Sequence, residues 1–208
     1  MLSVKNVSHS FGNKKVLHNV NLEIKAGELV SFVGPSGCGK STLLKDILGT
    51  QFPTSGEILV NSKKVDGPNR DVGIVYQHYS LYDFLTAQEN VAFGLMLDQT
   101  SLFIPITKSR FFNFWGWRKL RKQHLKQASD LLEKLGLQSA VNLYPNEMSG
   151  GMRQRVAIAQ ALIMKPKVLL LDEPFGALDE ATREELQKML LGLNLQSKLS
   201  FLLPKKDN

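Results

Sequence analysis

An α/β fold built around a phosphate-binding loop is what the 208-residue sequence predicts. Three stretches carry the expectation. G-P-S-G-C-G-K-S-T, Gly34 to Thr42, follows the apolar run Leu29 to Val33 and precedes T-L-L-K-D-I-L-G, giving a buried strand, a glycine loop and a helix ending near Gly49. K-V-L-L-L-D-E-P, Lys167 to Pro174, is an aliphatic run closing on two carboxylates, the pattern of a parallel strand covered on both faces. Ser149 reads as the N-cap of a helix over the small and aliphatic residues that follow it.

Composition narrows the class. A hydrophobic fraction of 43% and a charged fraction of 22% are ordinary for a globular protein. No uncharged stretch is long enough for a membrane-spanning helix, and M-L-S-V-K-N-V lacks the basic start and apolar block of a secretion signal. The single cysteine, Cys38, excludes an internal disulfide and suits a reducing compartment, so the cytoplasm is expected. The net charge of +7 is local. Lys108, Arg110, Arg118, Lys119, Arg121, Lys122 and Lys126 lie between Gln99 and Ser129 with no acid among them. Without these seven, the basic count falls from 26 to 19 and equals the acidic count. This is one basic patch, and no nucleic-acid partner is expected.

The loop matches G-x-x-x-x-G-K-[ST] in the strand–loop–helix setting that the motif requires. Its glycines allow backbone N–H groups to turn toward phosphate oxygens, and the helix start adds a favourable dipole. Gly34, Pro35, Ser36, Gly37, Cys38, Gly39, Lys40, Ser41 and Thr42 form the expected nucleotide cradle. In it, Lys40 neutralises the β- and γ-phosphates and Ser41 offers its hydroxyl to Mg²⁺. Cys38 fills an unconstrained position of the motif, the alternative being a reactive thiol in an electropositive loop. In either case its alkylation is expected to block access of the nucleotide.

The carboxylates follow the same logic. At the C-terminal end of a parallel strand they fall where open α/β sheets bind ligands. Asp172 can hold Mg²⁺ through its water shell, and Glu173 can polarise an attacking water. Ser149, Gly150 and Gly151 at a helix start make a second anion site, with bare amides and a hydroxyl. Two such sites in one chain suggest a sandwich in which one copy completes the other's nucleotide site.

At this point the sequence resembles the nucleotide-binding subunits of ABC transporters. S-G-G-M-R-Q-R-V is similar to the family signature, and P-F-G-A-L-D, Pro174 to Asp179, resembles its D-loop. Gln77, closing V-G-I-V-Y-Q, matches the glutamine that reaches Mg²⁺ and the attacking water. Phe11 in H-S-F-G resembles the aromatic that stacks on adenine, with core packing as its alternative. The resemblance implies a single nucleotide-binding domain over residues 1–208: a P-loop NTPase core, an antiparallel β subdomain and a helical subdomain at about 78–165. Ala128, Leu131, Leu132 and Leu135 mark an amphipathic helix of the latter, ending near Gly136.

The resemblance also implies ATP and Mg²⁺ as cofactors, with Glu173, Gln77 and Lys40 catalytic and Ser41, Gln77 and Asp172 toward the metal. It implies a paired ATPase subunit, commonly a homodimer, bound to transmembrane permease subunits and indirectly to a substrate-binding protein. The location implied is peripheral, on the cytoplasmic face of the membrane. The sequence is most similar to importers of nitrate, sulfonate or taurine type. Tyr79, Tyr82 and Phe84 would lie where the membrane subunit docks, the alternative being packing inside the subdomain. A basic–aromatic segment, 103–126, is surplus to the family pattern. It suits a membrane interface or single-stranded nucleic acid, or is an insertion with one solvated basic side.

One family residue is not met. The histidine that senses the γ-phosphate belongs after Asp179, yet the histidines here are His9, His18, His78 and His124. The chain therefore reads as cut short, or shifted out of its usual ending, near Ser200, with a gap expected between the phosphate-loop strand and the acidic strand. Phe201 to Leu203 would fill little of it before Pro204. Weak hydrolysis and reduced stability are expected. A non-hydrolysing remnant, or a soluble ATPase of the same superfamily, are the alternatives to an importer subunit.

Overall fold

A computed structural model describes residues 2–76, 80–102, 112–175, 178–197 and 199–205. The elements run β1 (Leu2–Phe11), β2 (Lys14–Ile24), β3 (Leu29–Val33), α1 (Lys40–Leu48), β4 (Ser55–Val60), β5 (Lys63–Lys64), β6 (Val72–Val75), α2 (Ala87–Leu102), α3 (Phe112–Lys134), α4 (Gly150–Leu162), β7 (Val168–Leu171), α5 (Glu180–Ser197) and β8 (Ser200–Lys205). They fall into two compact units. The first is Met1–His78 with Lys165–Asn208, and the second is Tyr79–Met164.

Two sheets build the first unit. An antiparallel sheet of order β2-β1-β4-β5 takes its strands from the N-terminal hairpin and from 55–64. A parallel sheet of order β3-β8-β7-β6 carries the phosphate loop and the acidic strand. Leu2, Val4 and Ile24 of the first sheet share a core with Leu44 and Ile47 of α1 and with Leu170 and Leu202 of the second. Burial of such side chains contributes about 1.5–3 kcal/mol each. The helix after the loop closes as its sequence indicates, on Gly49 in the left-handed region.

Two expectations are corrected here. The gap beside the phosphate-loop strand is filled: β8 lies between β3 and β7 and pairs with both, Leu29 opposite Phe201 and Leu169 opposite Phe201. Leu199 to Leu202 are as buried as β7 itself, with Phe201 and Leu202 at 0% exposure. An apolar run of this kind earns the central position by burial. Pro204 does not end the strand, for a geometric reason. Amides along a parallel strand face alternate neighbours. The Ser200 N–H donates to Lys167 O at 3.2 Å, and the Phe201 N–H to Glu28 O at 3.0 Å. Pro204 therefore falls on the β7-facing set, where pairing has already ended at Leu170 opposite Leu202. Its missing donor removes no ladder bond.

The second correction concerns β3. Expected as a buried strand, it is buried on one face alone: Leu29 is 44% and Val33 62% exposed, while Val30 and Phe32 pack on the core. An edge strand covered on one face shows this period of two. β7, with neighbours on both sides, is buried at every residue.

The second unit packs α2 against α3 and α4. T-A-Q-E opens α2 as a capping box: the Thr86 N–H donates to Glu89 Oε2 at 3.2 Å and the Glu89 N–H to Thr86 Oγ1 at 3.4 Å. Buried Asn90 ties the preceding turn down, donating to the carbonyls of Leu85 at 2.9 Å and Tyr82 at 3.1 Å. α3 buries Ala128 and Leu132, Leu135 is buried just past its last residue, and the chain turns at Gly136, as the apolar spacing predicts.

Candidate active site

The loop after β3 is shaped by two left-handed glycines. Gly37 has φ +83° with open space where a side chain would stand. Gly39, the N-cap of α1 at φ +99°, sits so close to Val16 and Leu17 that a Cβ would lie 2.8 Å from the Leu17 side chain. A side chain there would both strain the backbone and push the hairpin off the loop. No side chain caps α1, and its first turn holds no acid, so its N–H groups and positive dipole end are open to an anion.

Lys40, at the start of α1, turns back over its own loop. Its Nζ donates to the carbonyl oxygens of Gly34 and Pro35, and lies 3.7 Å from Cys38 Sγ. Val16, Ser36, Gly37, Gly39, Lys40, Ser41, Thr42 and Glu173 line an open cavity of about 160 Å³. The cavity joins the loop to the acidic strand. Asp172 extends the β6–β7 ladder by one bond, its N–H donating to Val75 O at 2.9 Å. Glu173 then leaves the strand at φ +49°, a left-handed conformation that costs a non-glycine residue about 1–2 kcal/mol. That backbone turn accompanies its side chain into the cavity wall.

These residues fit a nucleoside phosphate and Mg²⁺. The donors needed by phosphate oxygens are present as open amides, a hydroxyl and an ammonium. Ser41, with Asp172 at the strand end, would supply the few protein oxygens that Mg²⁺ takes beside phosphates and waters.

Phe11 ends β1 with 50% of its surface exposed, so it is not a core residue. Its ring lies 4.6 Å from that of His9, tilted by 38°. His9 Nδ1 stands 3.0 Å from both carboxylate oxygens of Asp46 on α1. Burial pushes the Asp46 carboxyl above its ordinary value, and the hydrogen bond and charge of His9 oppose that rise. Neither His9 nor Asp46 was marked by the sequence reading, nor was Val16. The available signal was an aspartate among the apolar residues Leu43, Leu44, Ile47 and Leu48.

In the second unit, Ser149 caps α4, its Oγ accepting the Met152 N–H at 3.2 Å. Gly150 and Gly151 form the first turn behind it. Tyr82 and Phe84 are 40% and 73% exposed, and the Tyr82 ring also packs on Phe93. Gln77 and Tyr79 lie outside the described residues, as do Gly176 and Ala177 of the P-F-G-A-L-D stretch and the basic–aromatic residues from 103 to 111.

A parallel sheet whose glycine loop opens a helix, facing an acidic strand end across a small polar cavity, defines a protein built to hold nucleoside phosphates. The chain belongs to the ABC transporter family, whose model matches residues 17–176. It is 42% identical over 196 residues to the sulfate/thiosulfate import ATP-binding protein CysA of Pseudomonas syringae pv. tomato, covering 93% of this chain and 56% of the relative. It is 43% identical to the nitrate import ATP-binding protein NrtD of Synechocystis sp., covering 94% of this chain and 66% of the relative. The chain thus spans between half and two thirds of the length of these relatives. Among solved structures it is similar to the ATP-binding cassette MJ0796 in a dimeric post-hydrolysis state bound to ADP and Pi, with a TM-score of 0.78 and 34% identity. That match covers 100% of this chain and 88% of the other. CbiO1 from Clostridium perfringens, part of the cbiONQ ABC transporter complex, aligns at a TM-score of 0.80 and 27% identity, covering 99% of this chain and 78% of the other.

Proposed function

We propose that this chain is the ATP-binding, energy-coupling subunit of an ABC-type importer, working as a pair on transmembrane permease partners. The observation that carries the reading is the convergence of Lys40, Ser41, Thr42 and Glu173 on one cavity. Lys40 exchanges the Gly34 and Pro35 carbonyls for phosphate oxygens, a charge-assisted replacement of neutral acceptors. The open amides of the loop and α1 take the remaining phosphate charge. Ser41 and Asp172 would hold Mg²⁺, which supplies charge neutralisation and an ordered water shell. Glu173 accepts the proton of the attacking water, and Gln77 orients that water. Phe11 stacks on the adenine. Ser149, Gly150 and Gly151 present a second set of anion donors, suited to the nucleotide held by the other copy.

A peripheral location at the cytoplasmic face of the membrane follows from this role. No helix among the described residues is long and apolar enough to cross a membrane. The exposed rings of Tyr82 and Phe84 suit contact with a permease. The names of the relatives support an inorganic oxyanion as cargo.

Calorimetry tests the core of the reading. Mg-ATP should bind the folded chain, and Lys40→Ala should weaken binding by tenfold or more, about 1.4 kcal/mol. Absence of heat with folded protein would refute it. Transport is tested by co-purification with a permease and by ATP-dependent uptake in vesicles.

A further inference from the structure

We propose that the buried pair His9–Asp46 is a positioning device for the nucleotide base, tying the strand that carries Phe11 to the helix that grips the phosphates. The inference rests on the reading of the cavity as an ATP site. His9 and Phe11 are two apart on β1 and so share one face of the strand. Phe11 has one ring neighbour among the described residues, the His9 imidazole at 4.6 Å. A half-exposed phenyl ring at a strand end would otherwise choose among rotamers, and the imidazole supplies one fixed wall.

That wall is itself fixed. The Asp46 carboxylate straddles Nδ1, with both oxygens at 3.0 Å, and this sets the tautomer and the ring plane together. Asp46 is 1% and His9 6% exposed, so the contact is made away from competing water. Asp46 lies six residues after Lys40 on α1, about 9 Å along the helix axis. One rigid element therefore bears both the phosphate lysine and the carboxylate that orients the histidine. The base platform and phosphate cradle are set at one spacing, the geometry that distinguishes a whole nucleotide from its phosphate chain alone. Neither residue touches the nucleotide; both act through Phe11.

The test compares Mg-ATP with Mg-tripolyphosphate, which shares the phosphates and lacks the base. His9→Leu with Asp46→Leu removes both buried polar partners together and avoids leaving either unpaired. His9→Asn retains a donor for Asp46 and removes the ring. Stacking of a base on an aromatic contributes about 5- to 150-fold in affinity. Each variant should therefore lose about tenfold for Mg-ATP, while tripolyphosphate affinity stays within twofold. In a Phe11→Ala background the same changes should cost less than twofold, because the route through Phe11 is already gone. A merely structural pair would shift both ligands alike, or add fully to Phe11→Ala, and either result overturns the proposal. If the double leucine variant does not fold, His9→Asn decides by the same titrations. Wild type that binds tripolyphosphate as well as ATP also overturns it. Wild type that binds neither sinks the ATP site itself, and the positioning role with it.

Discussion

The amide of Phe201 donates to the carbonyl of Glu28 at 3.0 Å, and this bond seats β8 against the strand that carries the phosphate loop. The Phe201 side chain is fully buried. Phe201→Ala should destabilise the chain by about 3–5 kcal/mol, whereas Phe201→Leu should cost less than about 1.5 kcal/mol. Urea unfolding measures both. A near-neutral alanine variant would remove β8 from the core.

Glu173 sets strain against chemistry. Glycine relieves the left-handed backbone at φ +49°, so Glu173→Gly should be more stable than Glu173→Gln by about 1 kcal/mol. Both should bind ATP and neither should turn it over. Thermal melts and a phosphate-release assay separate the two effects. Equal stability would show that the turn is not strained.

Cys38 is exposed, and its Sγ lies 3.7 Å from Lys40 Nζ. Alkylation with N-ethylmaleimide should abolish Mg-ATP binding, and bound Mg-ATP should slow the alkylation. Cys38→Ala should bind ATP normally and resist the reagent. Unimpaired binding by the alkylated protein would place the thiol outside the cradle.

Asp179 caps α5, accepting the Thr182 N–H at 3.0 Å and the Thr182 hydroxyl at 2.7 Å. These bonds hold its carboxyl below the ordinary value of 3.8. A folded-state value below the unfolded one gives stability that is complete above 3.8 and is lost as the pH falls through the folded value. Asp179→Ala should therefore lower the melting temperature at neutral pH, with the difference from wild type shrinking as the pH drops below 3.8. A difference independent of pH would exclude the capping carboxylate as its source.

Arg121 donates to Glu89 at 2.9 Å, and its guanidinium lies 6.0 Å from the centroid of the Trp117 ring. It braces α3 against α2, so the basic patch is not uniformly solvated. Arg121→Ala should cost about 0.5–1 kcal/mol, reduced by salt. Lys119→Ala and Lys122→Ala, on exposed positions of α3, should be near neutral for stability. Equal stability of the three variants in urea unfolding would show that Arg121 is idle.

The features legible from the residues alone are local. Gly34 to Thr42 carries its conformation in its glycines and its charge in Lys40, and Ser149 caps the next residues along the chain. The spacing of Ala128, Leu131, Leu132 and Leu135 needs only the helical period to declare a buried face. The signal of the Thr86–Glu89 box is equally local, a threonine followed three residues later by a glutamate.

The remaining features emerge from long-range packing, because they join residues far apart in the chain. S-F-L-L-P-K looks too short and too interrupted for a central strand until alternate amides are seen to face different neighbours, which leaves Pro204 where no bond is owed. Leu29 to Val33 reads as a buried strand, yet only the face bearing Val30 and Phe32 packs on the core, and Leu29 and Val33 point away from it. His9 and Asp46 stand 37 residues apart, and no periodicity connects a strand histidine to a helix aspartate. Short-range rules fix what a segment can become. Which segments meet is settled by long-range burial and pairing, and these depend on the whole chain at once.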